Sequence, residues 1–566
     1  MFPRFVIVLL LFATTTLPLP GGEYPRYPAR GSTYVPIEHW AYAVVDRLAA
    51  WGWVQSQIVG LRPWTRSEFA RLTVEAGERL SEEDAPAQAR QLYDVLTAEF
   101  GFEIALLSGS GGREITLEAL YVRALPVSGT PLRDGYHFGQ TIINDYGRPW
   151  GEGANLSAGA AVRASAGPLA GYARGEYQRA PSSPALWLPA REAIAWEDGT
   201  PVTPALAAAG ISRLWPLEAY VALNVSNFQL SFGRQALWWG PARGSSMLFS
   251  NNAAPFPMLR LTRTLPLKLP SLFSWMGPMR GEFFVGHLEG HELVFGPAGL
   301  VGEFGRRLDP QPYIHGQKLS FKPTPNLELG FSRTVIFSGP GAPFTAGNFW
   351  RSLVTQHNQA PQSGKDPGDF RSGLDLSYRL PGLRRRAIFY IDAFTEDQFS
   401  PVAYWDRSAI LAGLYLPQLS RLAKLDLRME GLYTDLPVGG KVGPGYFYAN
   451  SHYRNGYTSG KNLLGSWIGR GSQGAQAWSA WHLGPQSFFE VRFRHQKVSA
   501  QFVPAGGTLT DITLAAEYRL RPDLMLSTSV QYERWKFPVL QTAARRNVSS
   551  SVQLTFFPPA VSWRSR

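Results

Sequence analysis

The sequence predicts an all-β transmembrane β-barrel that is preceded by a small bundle of α-helices. The chain has 566 residues with 57 glycines, 44 prolines and 13% aromatic residues, which is typical of many short strands joined by turns. From about residue 113 onward, apolar and polar residues alternate with a period of two. The chain contains no cysteine, so burial or a closed hydrogen-bonded architecture, rather than a disulfide framework, must stabilise it outside the cytoplasm.

The first 22 residues have the pattern of a secretory signal peptide. Arg4 supplies the positive charge, residues 5–13 form an apolar segment, and prolines and glycines between residues 18 and 22 interrupt it. Elsewhere no apolar run reaches the ~20 residues that a membrane-spanning helix needs. The protein is therefore predicted to leave the cytoplasm, and helical insertion into a membrane is excluded.

Residues 23–112 are predicted to form the helical bundle. The first helix has apolar residues at helical spacing between residues 40 and 51. The second begins at Thr65, which can form a capping box with Glu68. A third is predicted from about residue 82 to residue 100.

Residues 113–566 are predicted to form the barrel. In "FEVRFRH" (489–495) and "ITLAAEYRL" (512–520), apolar and polar residues occupy opposite faces of a strand, and "NLELGFSRTVIF" (326–337) does so with a break at Arg333. Short turns such as "KPTPN" and "RPDL" separate such runs, as expected for hairpins. Strand-length segments joined by alternately short and long connections are typical of a membrane barrel.

A soluble β-sandwich would also show this alternation. The export signal, the long domain without a second change of composition, and polar faces that suit a wet lumen favour the barrel. Closure would also pair every backbone group without an open edge. The last run, "NVSSSVQLTFF" (547–557), resembles the closing strand that barrel-assembly machinery recognises, although "PPAVSWRSR" follows it.

The stretch "GRQALWWGPARGSSMLFSNNAAPFPM" (233–258) follows a predicted strand and is predicted to form a long loop. It resembles the motif of the capsule assembly Wzi family, in which a Gly-Arg strand end, a paired-aromatic Gly-Pro and a Ser-Asn-Asn with prolines recur in this order. "GQTIINDYGRPWGEGANLSAGAAVRASAG" (139–167) resembles the first long strand pair of the family. The resemblance covers about residues 30–558.

The resemblance implies an outer-membrane barrel of roughly 18 antiparallel strands with surface-exposed loops and a helical part on the periplasmic side. Family members are described as lectin-like proteins, not enzymes, that hold capsular polysaccharide at the cell surface. The partners expected are a capsular or extracellular polysaccharide, outer-membrane lipids and the barrel-assembly machinery. The net charge of +12 suits an acidic glycan, and the export signal argues against nucleic acid. A long connection that enters the lumen would close the pore.

Eight residues are predicted to contact the polysaccharide, because aromatic rings stack on sugars, arginine pairs with uronates, and asparagine bonds hydroxyl groups. They are Arg148, Trp150, Arg234, Trp238, Trp239, Arg243, Asn251 and Asn252. A structural alternative is open for most of them. Trp238 and Trp239 could belong to an interfacial aromatic girdle, the asparagines could build a loop turn, and the arginines could form lumen ion pairs.

The sequence contains no recognisable catalytic, cofactor or metal motif. His287 and His291 lie four apart on a predicted strand, about 13 Å from each other and too far apart for one zinc ion. Asp392, Glu396 and Asp397 imitate a glycosidase pair but are predicted to be solvated charges at a strand end. Three classes of function remain open: a surface glycan-binding barrel, which is favoured, a porin or polysaccharide export channel, and an exported carbohydrate-active enzyme.

Overall fold

The computed structural model describes most of the chain from residue 30 onward. The described residues are 30–82, 84–296, 299–355, 367–381, 387–398, 401–419, 422–435, 443–559 and 561–563. The predicted signal peptide, residues 1–22, lies outside them.

In the described residues, eighteen long strands form one closed antiparallel sheet, in which each strand pairs with the next and the last pairs with the first. They are β1 (Arg113–Ser128), β2 (Gly153–Ala166), β3 (Leu169–Ala180), β4 (Ile211–Val225), β5 (Phe228–Gln235), β6 (Phe256–Arg263), β7 (Pro278–His287), β8 (Tyr313–Thr324), β9 (Leu327–Phe337), β10 (Asp369–Arg379), β11 (Ile388–Glu396), β12 (Ser408–Leu416), β13 (Leu425–Tyr433), β14 (Ser472–Gly484), β15 (Ser487–Val498), β16 (Gly507–Arg521), β17 (Leu524–Lys536) and β18 (Arg545–Phe556). The prediction of a barrel of roughly 18 strands is therefore confirmed.

The barrel closes where β18 pairs with β1. The pairs run from Leu120 opposite Phe556 to Ser128 opposite Val548. After the two prolines that follow β18, the short segment Val561–Trp563 pairs with the beginning of β1. The residues beyond the predicted closing strand thus extend the seam of the barrel.

The strands carry apolar side chains on the outside and polar side chains on the inside. On β15, Phe489 and Val491 are 57% and 50% exposed, whereas Glu490 between them is only 2% exposed. Ile512 on β16 is likewise 50% exposed. A soluble β-sandwich would bury its apolar row, so that alternative is wrong, and the outward belt faces lipid.

The two ends of the barrel differ in their connections. At one end, two-residue turns such as residues 167–168 and 226–227 join neighbouring strands. At the other end, the connections 129–152, 236–255 and 434–471 are long. These ends are called the short-turn end and the long-loop end below.

Three helices precede the barrel: α1 (Trp40–Trp51), α2 (Arg66–Glu82) and α3 (Ala87–Leu107). Gly52 ends α1 in the left-handed conformation with φ of 93°, which glycine adopts at little cost. The backbone N–H of Glu68 donates to Thr65 Oγ1 over 3.2 Å. The carboxylate of Glu68 binds Arg71 (Nε–Oε2 2.8 Å), so only half of the predicted capping box forms.

The third helix begins later than predicted. Residues up to Glu82 continue α2, and α3 starts at Ala87 directly after Pro86. Proline is well tolerated at the beginning of a helix because the first N–H groups have no partner in the helix. No helix within the described residues is long and apolar enough to cross a membrane.

The helical region is docked into the short-turn end of the barrel. The backbone N–H groups of Val59 and Gly60 donate to the carboxylate of Glu328 on β9 over 2.9 and 2.7 Å. Arg379 on β10 donates to the carbonyl of Ala49 in the last turn of α1 over 2.8 Å. These bonds fix the helices against the inner wall near the ends of β9 and β10. Two more helices, α4 (Leu188–Asp198) and α5 (Ala346–Val354), lie on long-loop connections.

Candidate functional site: a lumen closed by three loops

Residues 236–255, which connect β5 to β6, turn into the lumen. Near the end of β5, Gly233 has φ of 136°, and a Cβ there would lie 2.1 Å from the carbonyl oxygen of Ala219, so glycine is required. Trp238 and Trp239 are 3% and 1% exposed. The interfacial-girdle interpretation of these two residues is therefore wrong, because the inward backbone carries both indoles away from the lipid-facing surface.

Carboxylates on separate strands hold this segment in the lumen. Glu282 on β7 accepts from Trp239 Nε1 over 2.9 Å, and Asp392 on β11 accepts from the backbone N–H of Met247 over 2.8 Å. Glu430 on β13 accepts from the backbone N–H of Arg243 over 2.8 Å. Asp392 is buried, so its prediction as a solvated rim charge is wrong.

Two further long connections pack against the first. From residues 434–471, the hydroxyl of Tyr448 donates to the carbonyl of Met247 over 2.7 Å. From residues 129–152, the backbone N–H of Tyr146 donates to the carbonyl of Asn251 over 2.7 Å. The segments 129–152, 236–255, 434–435 and 443–471 are together called the plug.

The plug has an apolar core of its own. Trp239, Phe249, Tyr448 and Trp467 are buried in one cluster with Phe284 of β7. The rings of Trp239 and Phe249 meet edge to face with centroids 5.0 Å apart. Because apolar packing and hydrogen bonds to the wall act together, the plug occupies the lumen as a folded part of the protein.

Two predicted site residues, Arg148 in the plug and Arg234 on β5, form ion pairs. Arg148 binds Glu176 on β3 (Nη2–Oε1 2.6 Å) and Asp145 (Nη1–Oδ1 2.8 Å). Arg234 binds Glu289 and donates to the carbonyl of Pro255 over 2.9 Å. These contacts match the ion-pair alternative for the two arginines.

Three other predicted residues are also buried at separate places. Trp150 packs in a small cluster with Leu125 and Val127 of β1. Asn252 is buried within the plug, where its backbone N–H donates to Ser250 Oγ over 3.1 Å. Trp239 belongs to the plug core described above. The structure therefore does not bring these five residues, from Arg148 to Asn252, to one surface.

The remaining three predicted residues, Trp238, Arg243 and Asn251, line one cavity of about 260 Å³. It lies between the plug, α1 and the inner wall from β12 to β16 and is called the plug cavity. Asp46 and Arg47 of α1 also line it. The sequence-based prediction missed both, since α1 has the pattern of an ordinary amphipathic helix. The adjacent charges in "VVDRLAAW" were the available signal.

A charged cluster ties the plug to another long connection at the long-loop end. His137 binds Asp134 (Nδ1–Oδ2 2.7 Å) and Asp198 at the end of α4 (Nε2–Oδ2 2.9 Å). Asp198 also binds Arg470 (Nη1–Oδ1 2.7 Å). Burial lowers the pKa of His137, but the two carboxylates outweigh it and raise the pKa to about 10. His137 is therefore a cation at neutral pH.

We expect this cluster to weaken at alkaline pH. The pKa of His137 rises on folding from its ordinary value of 6.5 to about 10. The stability that the protonated imidazole adds to the folded cluster is therefore fully present below pH 6.5 and is lost as the pH rises through 10. Limited proteolysis of the long loops should accelerate over this range. In His137→Gln the loops should be cut faster at neutral pH and respond less to pH. An identical pH response in both proteins would contradict the assignment to His137.

Comparison with known proteins identifies the family. The model of the family "Capsule assembly protein Wzi" matches residues 123–549, which is most of the chain. The chain belongs to this family. Among solved structures, Wzi from Escherichia coli, described as an outer-membrane protein involved in group 1 capsule assembly and as a carbohydrate-binding β-barrel, is 18% identical to this chain. The similarity covers 93% of this chain and 99% of that one, with a TM-score of 0.66.

Two further similarities accompany the Wzi match. An uncharacterised 55.8 kDa protein in the cps region of Klebsiella pneumoniae is 27% identical over 184 residues, which are 32% of this chain and about a third (33%) of that protein. OpdQ from Pseudomonas aeruginosa is 10% identical and similar over 80% of this chain and 98% of that one, with a TM-score of 0.42. With its closed sheet and lipid-facing belt, this Wzi-family barrel is located in the bacterial outer membrane.

Proposed function

We propose that this chain is a lectin-like outer-membrane protein that binds and anchors capsular or extracellular polysaccharide at the cell surface. The observation that carries this proposal is the plug, which closes the lumen in a family named for capsule assembly. A closed barrel offers its loops to a polymer but no wide passage through its centre. Wzi of Escherichia coli is described as carbohydrate-binding, which supports the same chemistry for this chain.

The architecture also suggests how the protein is oriented. Outer-membrane barrels have short periplasmic turns and longer extracellular loops. We therefore assign the long-loop end to the cell surface and the helical region, residues 23–112, to the periplasmic side. The apolar belt would contact outer-membrane lipids, and the pairing of β18 with β1 would be completed by the barrel-assembly machinery.

Exposed tryptophans at the long-loop end are the contact residues that we propose. Trp196 on α4 is 84% exposed, Trp350 on α5 is 54% exposed, and Trp405 between β11 and β12 is 56% exposed. An indole ring gains by covering its apolar face, and the C–H face of a sugar ring provides such a cover. An excess of basic residues, with a net charge of +12, suits an acidic polymer.

The eight residues predicted from the sequence receive two roles in this proposal. We assign Arg148, Trp150, Arg234, Trp239 and Asn252 to stabilising the plug and its neighbours, in view of the contacts described above. Trp238, Arg243 and Asn251 line the plug cavity, on the side of the plug that faces the short-turn end.

The test is calorimetric titration of the detergent-purified protein with polysaccharide from its own host. Replacing Trp196, Trp350 and Trp405 by alanine should weaken binding about tenfold or more, because exposed anchors dominate such contacts. Trp275→Ala is a matched control, since Trp275 is 61% exposed but lies at the short-turn end. Equal affinities of the wild type and the triple variant would contradict the proposed surface, and no binding by the wild type would contradict the function.

We assign no catalytic role to the protein. Asp392 and Glu396, which imitate a glycosidase pair in the sequence, accept hydrogen bonds from the backbone N–H groups of Met247 and Tyr448 (2.8 and 2.6 Å). Both carboxylates are therefore engaged in holding the plug. Within the described residues, no three His, Asp or Glu side chains are grouped as a metal site. The plug likewise disfavours the porin or export-channel alternative.

A further inference from the structure

The plug cavity lies on the opposite side of the plug from the proposed sugar-binding surface. The turn Pro485–Gln486, which joins β14 to β15 at the short-turn end, lines it together with residues 37–47 of the N-terminal region. Its volume of about 260 Å³ is far above the ~10–15 Å³ that one water molecule needs and below the ~300–1,000 Å³ of sites for drug-sized ligands. A single sugar ring fits such a space, whereas a long polymer segment does not.

Arg47 lies in the wall of this cavity and forms no ion pair with any described residue, although its guanidinium lies over the ring of Trp51 at 5.1 Å from the centroid. It is only 2% exposed, and its Nε and Nη2 atoms have no hydrogen-bond partner among the described residues. The neighbouring arginines differ, because Arg62 pairs with Asp46 (3.6 Å) and Arg243 pairs with Glu490 (2.7 Å). Burial lowers the pKa of Arg47, and the nearby Tyr415 and Asp426 oppose this only in part. An unpaired buried charge is costly, so an anion in the cavity would be bound favourably.

Other groups in the cavity wall can bind hydroxyl groups. Glu517 lines it and forms no ion pair within the described residues. Trp238 Nε1 and Asn251 Oδ1 are buried and lack a partner in the described part of the chain. The side chains of Trp40 and Phe488 also line the cavity and provide apolar area for the C–H face of a ring. The wall therefore offers a cation, hydrogen-bond acceptors, an N–H donor and aromatic surface together.

We propose that the plug cavity binds one carboxylated sugar unit, reached from the short-turn end. Arg47 pairs with the carboxylate, and Glu517, Trp238 and Asn251 bind the hydroxyl groups. A uronic acid presents both kinds of group on one ring, which matches the wall better than a neutral sugar or an inorganic anion. The choice of a sugar over other carboxylates rests on the proposed function. The unit can come from an acidic exported polysaccharide or from carboxylated cell-wall glycan.

The experiment uses the full-length protein in detergent and three defined probes. The probes are a disaccharide that contains glucuronate, its carboxyl-reduced counterpart, and soluble peptidoglycan fragments. Calorimetry should show saturable binding of at least one carboxylated probe and at least about tenfold weaker binding of the reduced one. The probe with the higher affinity identifies the source of the ligand.

Variants of Arg47 distinguish an effect on ligand affinity from an effect on the stability of the fold. Arg47→Met should weaken binding of the carboxylated probe tenfold or more, and Arg47→Lys should retain part of the affinity. The melting temperature of unliganded Arg47→Met should be unchanged or higher, because an unpaired buried charge is removed. Arg79→Met is the matched control, since Arg79 of α2 is partly exposed and does not line the cavity.

Three results would overturn the proposal: no binding of either carboxylated probe, equal binding of the reduced probe, or unchanged affinity of Arg47→Met. Binding of the whole polymer is measured separately and tests the tryptophan surface at the long-loop end. Arg47→Met should retain polymer binding through the long loops, and the triple tryptophan variant should retain the disaccharide. Loss of polymer binding therefore tests the surface site, and loss of disaccharide binding tests the plug cavity.

Discussion

Replacement of residues 236–255 by a two-residue Asn-Gly turn is expected to convert a closed barrel into a conducting one. Gln235 and Phe256 are directly paired on β5 and β6, so a tight hairpin can join them without moving either strand. The deletion removes Trp239, Phe249 and the backbone groups bound to Asp392 and Glu430. In a planar bilayer the wild type should show little conductance and the variant a large, stable one.

A shorter deletion provides the control for this experiment. Residues 201–207, between α4 and β4, are largely exposed and lie outside the plug. Their removal should leave the conductance at the wild-type level. A wild-type protein that conducts as well as the deletion variant would show that the plug does not seal the lumen, and would favour a channel function over the surface anchor.

Glu282→Leu is expected to cause the largest loss of stability among single substitutions at the wall. Glu282 and Arg260 form a fully buried ion pair between β7 and β6 (Arg260 Nε to Glu282 Oε2 2.8 Å), and Glu282 also accepts from Trp239. Its removal leaves a buried guanidinium and an indole N–H without this partner. The free energy of unfolding should fall by about 3–5 kcal/mol, measured by urea unfolding in detergent micelles.

Two further variants test whether the unpaired charge causes this loss of stability. The double variant Arg260→Met/Glu282→Leu should recover much of the loss, because apolar groups of similar volume can replace a buried pair. Leu259→Ala, whose side chain is 47% exposed beside Arg260, should cost well under half as much. A double variant as unstable as Glu282→Leu would mean that packing around Glu282, rather than the unpaired charge, causes the loss.

The local sequence patterns predicted individual elements well. Glycine at position 52 ends α1 because a left-handed residue is needed there, and the period-two pattern of 489–495 gives one outward and one inward face. The location of the paired tryptophans could not be predicted from their local sequence. Their motif indicated a long loop and the family, but a girdle and a plug have the same local sequence. Burial of Trp238 and Trp239 in the lumen decided between them.

The sequence by itself determined the barrel class, the lipid-facing rows of the strands and the helical start of the chain, because each depends on residues within a few positions of one another. Only the tertiary structure decided which backbone groups the buried carboxylates of the wall bind. Gly60 binds Glu328 from 268 positions away, and Met247 binds Asp392 from 145 positions away. Such contacts depend on sheet register and loop path, which local periodicity does not encode. The position of the plug in the lumen and that of Arg47 in the plug cavity both follow from that long-range geometry.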